Sequence, residues 1–411
     1  MFLLVRNRRC VALRADRKQT LALALAALVC CIAFLGCSRV RADDILPSGS
    51  PPGAEIVYAG VAEGRENVIL WYAVWPAHSA LAVSPKLDGK YGMGNHVEHP
   101  TFSPNGEKVL FLANRVLPDG TEVPIKDNGI GFDLWLWDVR KDSATALTMD
   151  SAGYDLGHWS PNGKYISDIS FEGYEIPSPE GGAPSLSSTY QWKHNLYVWD
   201  VHTRNRRLLV RYVDSPIWSP DSKRIYFEGV IGDERPAFLS VGLSGGKPTT
   251  VLVSNNSTWL GEWSPDGRFL AYSEYVPERK GHVLSLLPAD GRKPRMYYAF
   301  KSPITELEWS QDGRKIAFVN YFAFDPVYQG KLTVMDIGNG EAKEMWRSAG
   351  TIDIIGWSRD GKWLIASRNK TLEPTCQQEL VATPVAGGKP VILAAPEGRV
   401  TGFDWHELPG K

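Results

Sequence analysis

The densest group of side chains able to do chemistry is Asn95-His96-Val97-Glu98-His99. Two imidazoles and a carboxylate within four residues are donor types that suit a divalent metal. The spacing is not the helical His-Glu-x-x-His pattern. In an extended strand His96 and His99 point to opposite faces, so joint ligation needs a bend. His158, just before Trp159, could approach from a neighbouring unit. His96, Glu98, His99 and His158 are therefore candidate metal ligands, set against the plainer reading of a polar rim with satisfied hydrogen bonds. Acids also recur four residues before a repeated aromatic, at Glu98, Asp155, Asp214 and Asp353, with Trp259, Thr305 and Thr401 at the remaining positions. Equivalent placement would give an electronegative mouth for a cation or basic peptide; a solvated rim is the alternative.

Other chemistry leaves no motif. The chain has no Gly-x-Ser-x-Gly elbow and no hydrolase domain after its last repeat. Phosphate-binding and calcium-loop patterns are absent as well, so no cofactor is expected. Four of the five cysteines are Cys10, Cys30, Cys31 and Cys37, and only Cys376 lies in the body. An internal disulfide or cysteine-based metal site there is excluded.

The elements that must position these residues are repeats. An aromatic followed by a Ser-Pro-Asp-Gly-like turn occurs at Phe102, Trp159, Trp218, Trp263, Trp309 and Trp357, each time leading into a β-rich run such as KVLFLA or RFLAYS. Asp-Gly and Asn-Gly tolerate positive φ and make tight hairpins. Each unit parses as four strands, a to d, with the aromatic ending strand a. A repeat of this kind buries its apolar faces only against its neighbours, which fixes an all-β propeller. The motif Trp, Ser and Asp are read as scaffold rather than as a ring of ligands.

The termini complete the count. Ile56-VYAGV, Val68-ILWYAVW and Ala80-LAV read as strands b, c and d without a strand a, and Val400-TGFDW reads as a strand a with nothing after it. Pairing them closes a seven-bladed β-propeller and removes sheet edges. Six blades is the fallback if the N-terminal strands pack elsewhere.

Residues 1–36 carry six basic groups and one acid, then the apolar run from Thr20 to Gly36, as in a secretory signal. Phe34-Leu35-Gly36-Cys37 resembles the bacterial lipobox, which makes Cys37 the expected lipidation site. An uncleaved anchor and simple secretion are the alternatives. Residues 37–54 read as a lipidated, Pro-, Gly- and Ser-rich tether, and 55–411 as the propeller. Without the leader, 39 basic and 45 acidic groups leave a charge of -6, so no nucleic-acid footprint exists.

The repeat resembles the WD-repeat-like units of the TolB β-propeller family over residues 55–411. It is intact at Trp263-Ser264-Pro265-Asp266-Gly267 and weakest at Ser222, Gln311 and Arg359. The resemblance implies an exported propeller that binds other envelope proteins on the periplasmic side of a bacterial envelope. The chain departs from the family's pattern in having no separate α/β domain before the propeller and in its lipobox-like segment, so that family's particular partners do not transfer. Seven-bladed propellers with this repeat also resemble some oligosaccharide lyases.

Long connections 115–131, 172–193 and 84–95 break the regular spacing on the face opposite the Asp-Gly turns. Tyr91, Tyr174, Tyr190 and Trp192 there, with His96, Glu98, His99, Asp155, His158 and Trp259, form the expected partner-binding face. The leading expectation is a non-enzymatic, membrane-anchored scaffold for an envelope protein or peptide. A metal-dependent polysaccharide lyase or hydrolase, or a carbohydrate-binding propeller, is the competing class.

Overall fold

The computed structural model describes residues 50–61, 68–76, 80–83, 85–87, 92–123, 131–149, 154–171, 194–232, 235–253, 258–300, 302–324, 327–369, 378–396 and 400–408. Cys37, Tyr91, Tyr174, Tyr190 and Trp192 lie outside them, as does the apolar run 20–36. Among the described residues no helix is long and apolar enough to cross a membrane.

The first strands are β1 (Ala54–Val61), β2 (Val68–Trp75), β3 (Ala80–Ala82), β4 (Lys86–Leu87), β5 (Gly92–Phe102), β6 (Lys108–Val116), β7 (Phe132–Asp138) and β8 (Ser143–Ala146). Five four-stranded sheets follow. They are β9 (Tyr154–Trp159) to β12 (Arg206–Arg211) through β10 (Tyr165–Phe171) and β11 (His194–Asp200); β13 (Asp214–Trp218), β14 (Arg224–Ile231), β15 (Arg235–Gly242) and β16 (Thr249–Val253); and β17 (Thr258–Trp263), β18 (Phe269–Val276), β19 (Gly281–Pro288) and β20 (Arg295–Phe300). The last two are β21 (Ile304–Trp309), β22 (Lys315–Phe324), β23 (Val327–Asp336) and β24 (Ala342–Ala349); and β25 (Ile352–Trp357), β26 (Trp363–Asn369), β27 (Gln378–Pro384) and β28 (Val391–Ala394). The chain ends in β29 (Val400–Glu407), which pairs antiparallel with β1, as the sequence predicts for the two termini. β29, β1, β2, β5, β6, β7, β8 and β4 run in that order through a nine-stranded mixed sheet, with β3 on β2. The link from β2 to β5 is a single parallel pair, Val68 with His96.

The architecture is all-β, with sheets arranged as propeller blades. Middle strands read as nearly continuous apolar runs because neighbouring sheets cover both faces: β6 is buried from Val109 to Arg115. Outer strands such as β12 are largely exposed. Each core is shared between successive blades. Leu284 and Leu286 of β19 pack with Trp309 and Phe318 of the next sheet. Trp363 and Leu380 of the last sheet pack with Ile56, Trp75 and Trp405, which closes the ring.

Every motif turn is built alike. In Ser264-Pro-Asp-Gly the serine hydroxyl donates to Asp266 Oδ1 at 2.7 Å and accepts from the Phe269 N–H at 3.0 Å, while Gly267 turns at φ +70°. The motif is scaffold in this sense.

The predicted insertion at 115 starts later, because β6 runs to Val116. Arg115 is buried there, 3.5 Å from Asp133 and donating to the Met149 carbonyl, and a tight turn over Leu117–Thr121 brings Glu122 back onto Val116. Buried Asp133 and the Met149 carbonyl hold the side chain that the spacing assigned to a loop.

Candidate functional site

The innermost strands lie side by side around the axis: β13 against β17, β17 against β21, β21 against β25, β25 against β29 and β29 against β5. Each carries the motif aromatic at or near its end, and the ring goes into the seam between blades. The indole N–H of Trp159 donates to the Thr101 carbonyl at 3.3 Å, Trp218 to His158 at 3.2 Å, Trp309 to Glu262 at 3.0 Å and Trp357 to Glu308 at 3.3 Å. The acceptor is always the residue immediately before the previous aromatic. Strand alternation turns that residue's side chain away from the seam.

Three of those positions are acids: Glu262, Glu308 and Asp404. Glu306 stands two residues before Glu308 on the same strand, and Asp353 is on the neighbouring β25. Each is only half-buried by solvent contact, yet the first four are closely surrounded by protein, the setting of a narrow axial channel. Burial pushes the Glu262 carboxyl up to about 7. Burial, then the charges of Asp353 and Glu262, pushes Glu306 up to about 8. Glu308 is raised well above the carboxylate range by burial, then by Glu262, Glu306 and Asp404. Asp404 rises to about 7 through burial, although its oxygens accept from the Phe102 N–H at 2.5 Å and the Trp405 N–H at 2.8 Å. Among the described residues Glu262, Glu306 and Glu308 have no ion pair with a basic side chain. Such a cluster favours an incoming cationic group and takes up protons near neutrality.

The predicted residues divide differently. Glu98 and His99 stand 3.9 Å apart as a half-exposed pair, with His99 at φ +49°. His96 is exposed, and its N–H donates to Asn114 Oδ1. His158 is exposed on β9, with its carbonyl held by Trp218. Asp155 pairs with Ile169 and Trp259 with Ser273 as strand residues. Among the described residues no three His, Cys, Asp or Glu side chains come together to hold a metal. Of the acids four before the aromatic, Asp214 is exposed and bonds the Ser215 N–H. Asp353 accepts from Ser367 Oγ at 2.8 Å and adds its charge to Glu306. Sequence reading missed Glu262, Glu306, Glu308 and Asp404. The available signal was an acid directly before the motif Trp in three repeats.

Fold and inner strands define a β-propeller with an acid-lined axis. Solved structures of similar shape include TolB from Acinetobacter baumannii, at 14% identity over 89% of this chain and 86% of that one, with a TM-score of 0.49. Oligogalacturonate lyase from Vibrio parahaemolyticus matches at 13% identity over 74% and 80%, with a TM-score of 0.53. A prolyl endopeptidase matches at 11% identity over 85% of this chain but 49% of its own, with a TM-score of 0.57. At these identities the likeness is one of fold. No family model matches the sequence, and no curated protein matches it.

Proposed function

We propose that this chain is a binding propeller that receives a basic segment of an envelope protein or peptide at its acid-lined axis. The carrying observation is the group Glu262, Glu306, Glu308 and Asp404 on the inner strands β17, β21 and β29, without an ion pair among the described residues. Carboxylates that like charge and burial hold near neutrality gain most from a partner that brings Lys or Arg. Export, lipidation at Cys37 and residence at the periplasmic side of the envelope belong to this reading, and the basic, apolar leader supports them. So does the count of seven blades: the orders β29-β1-β2-β3 and β5-β6-β7-β8, joined at one pair, support two blades within the mixed sheet.

Titration of the full chain with a Lys/Arg-rich decapeptide and an Asp/Glu-rich control tests it. Glu262→Gln/Glu308→Gln should weaken the basic peptide by about tenfold or more, roughly one 1.4 kcal/mol step. Equal affinity in the variant, or equal affinity for both peptides, removes the axial acids from the function. The lyase or hydrolase reading needs a metal, and among the described residues no suitable group of ligands supports it.

A further inference from the structure

We infer that the Asp-Gly turn face of the propeller is a docking surface for the anionic phospholipid headgroups of the membrane that carries the chain. The connections on this face are residues 103–107, 160–164, 219–223, 264–268, 310–314 and 358–362 between strands a and b, and 139–142, 201–205, 243–248, 289–294, 337–341 and 385–390 between strands c and d. In an antiparallel blade both sets leave from the same strand ends. Together they hold thirteen Lys and Arg against eight Asp and Glu, an excess of five positive charges in a body whose net charge is negative. All thirteen basic residues are exposed. Several acids are already engaged within their own turn, as in Asp266 with Arg268 at 2.5 Å and Asp290 with Arg292 at 2.7 Å. Lys164, Lys247, Lys293 and Lys389, from four different sheets, have no ion pair among the described residues.

The chain enters on this same face. β1 runs from the turn end towards the opposite face, and Gly53 ahead of it accepts from the Leu408 N–H at 2.9 Å. Glu55, Asn105, Gly106, Val139, Arg140 and His406 line one cleft there, which places the entry point beside the turns. The inference rests on the anchored reading of Cys37. The 17 residues 38–54 then limit the face to at most about 60 Å from the lipid. Basic groups near an anionic bilayer are attracted within a Debye length, about 10 Å at 0.1 M salt. A basic surface adds electrostatic attachment to the lipid anchor and sets which face meets the bilayer.

Lysine acetylation of the full chain, read by mass spectrometry on vesicles of phosphatidylcholine with or without phosphatidylglycerol, tests this. Lys164, Lys247, Lys293 and Lys389 should react at least about fivefold more slowly on the anionic vesicles, with reactivity restored near 0.5 M salt. Exposed Lys280, on the opposite face, should react equally on both. K247E/K293E/K389E should lose the protection. Vesicle-retained protein whose turn lysines react like Lys280 overturns the inference and leaves the anchor standing. Protein that washes off in carbonate removes the anchor; the low-salt footprint before washing still decides the surface, upheld by protection and overturned by its absence. Equal protection on neutral vesicles, or stronger protection by dextran sulfate at matched charge, also overturns a phospholipid partner.

Discussion

The indole N–H of Trp309 donates to the carbonyl of Glu262 across the seam between two blades, at 3.0 Å. The backbone that this bond fixes carries one of the axial carboxylates. Scaffold and candidate site are thus one peptide unit apart, and the same relation recurs between Trp357 and Glu308.

Trp309 is 4% exposed and packs with Leu284, Leu286 and Phe318. Trp309→Ala should cost about 3–5 kcal/mol through the cavity it leaves. Trp309→Phe should cost less, since it forfeits mainly the hydrogen bond. Midpoints of denaturant unfolding measure both.

Stability should fall as pH rises from about 4 to about 8. The folded-state carboxyls of Glu262, Glu306 and Asp404 lie at about 7, 8 and 7, above their unfolded values. Below the unfolded values these groups are neutral in both states and cost nothing. As pH rises through the folded values, the fold must hold charges that the unfolded chain holds freely, and stability is lost. Glu308→Gln should flatten the profile and stabilise at neutral pH by about 1–3 kcal/mol. Melting temperature against pH, for wild type and variant, checks the slope.

Asp168 is fully buried on β10 and paired with Arg206, whose guanidinium also stacks on Tyr197 at 3.7 Å. Asp168→Ala removes the buried carboxylate that Arg206 binds and should cost about 3–5 kcal/mol. Arg206→Met keeps the bulk while removing the cation, and should also destabilise. A double-mutant cycle on unfolding free energy separates the pair from its packing.

Gly106 turns at φ +68°, and a Cβ there would fall 2.2 Å from the His406 ring on β29. Gly106→Ala should destabilise the closure between the terminal strands by about 1–3 kcal/mol through strain and displacement of His406. Faster amide exchange in β29 than in β21 is the readout.

The repeated aromatic and turn determined by themselves that the chain is all-β and bladed, because the turn chemistry is local: Ser264, Asp266 and Gly267 close their hairpin without help from distant residues. The pairing of β1 with β29 was legible too, since Trp405 keeps the motif spacing with no strand after it. Tertiary structure alone decided which acids meet. Glu262, Glu308 and Asp404 are 46 and 96 residues apart in sequence, and they gather only because successive inner strands converge on one axis. Their shifted protonation follows from that convergence, as burial and mutual repulsion exist only once the blades are packed. The same holds for the basic turns, scattered singly through the repeats until antiparallel pairing carries them to one end of every blade. Local hydrogen bonds wrote the blade into the sequence; long-range packing brought its scattered charges together.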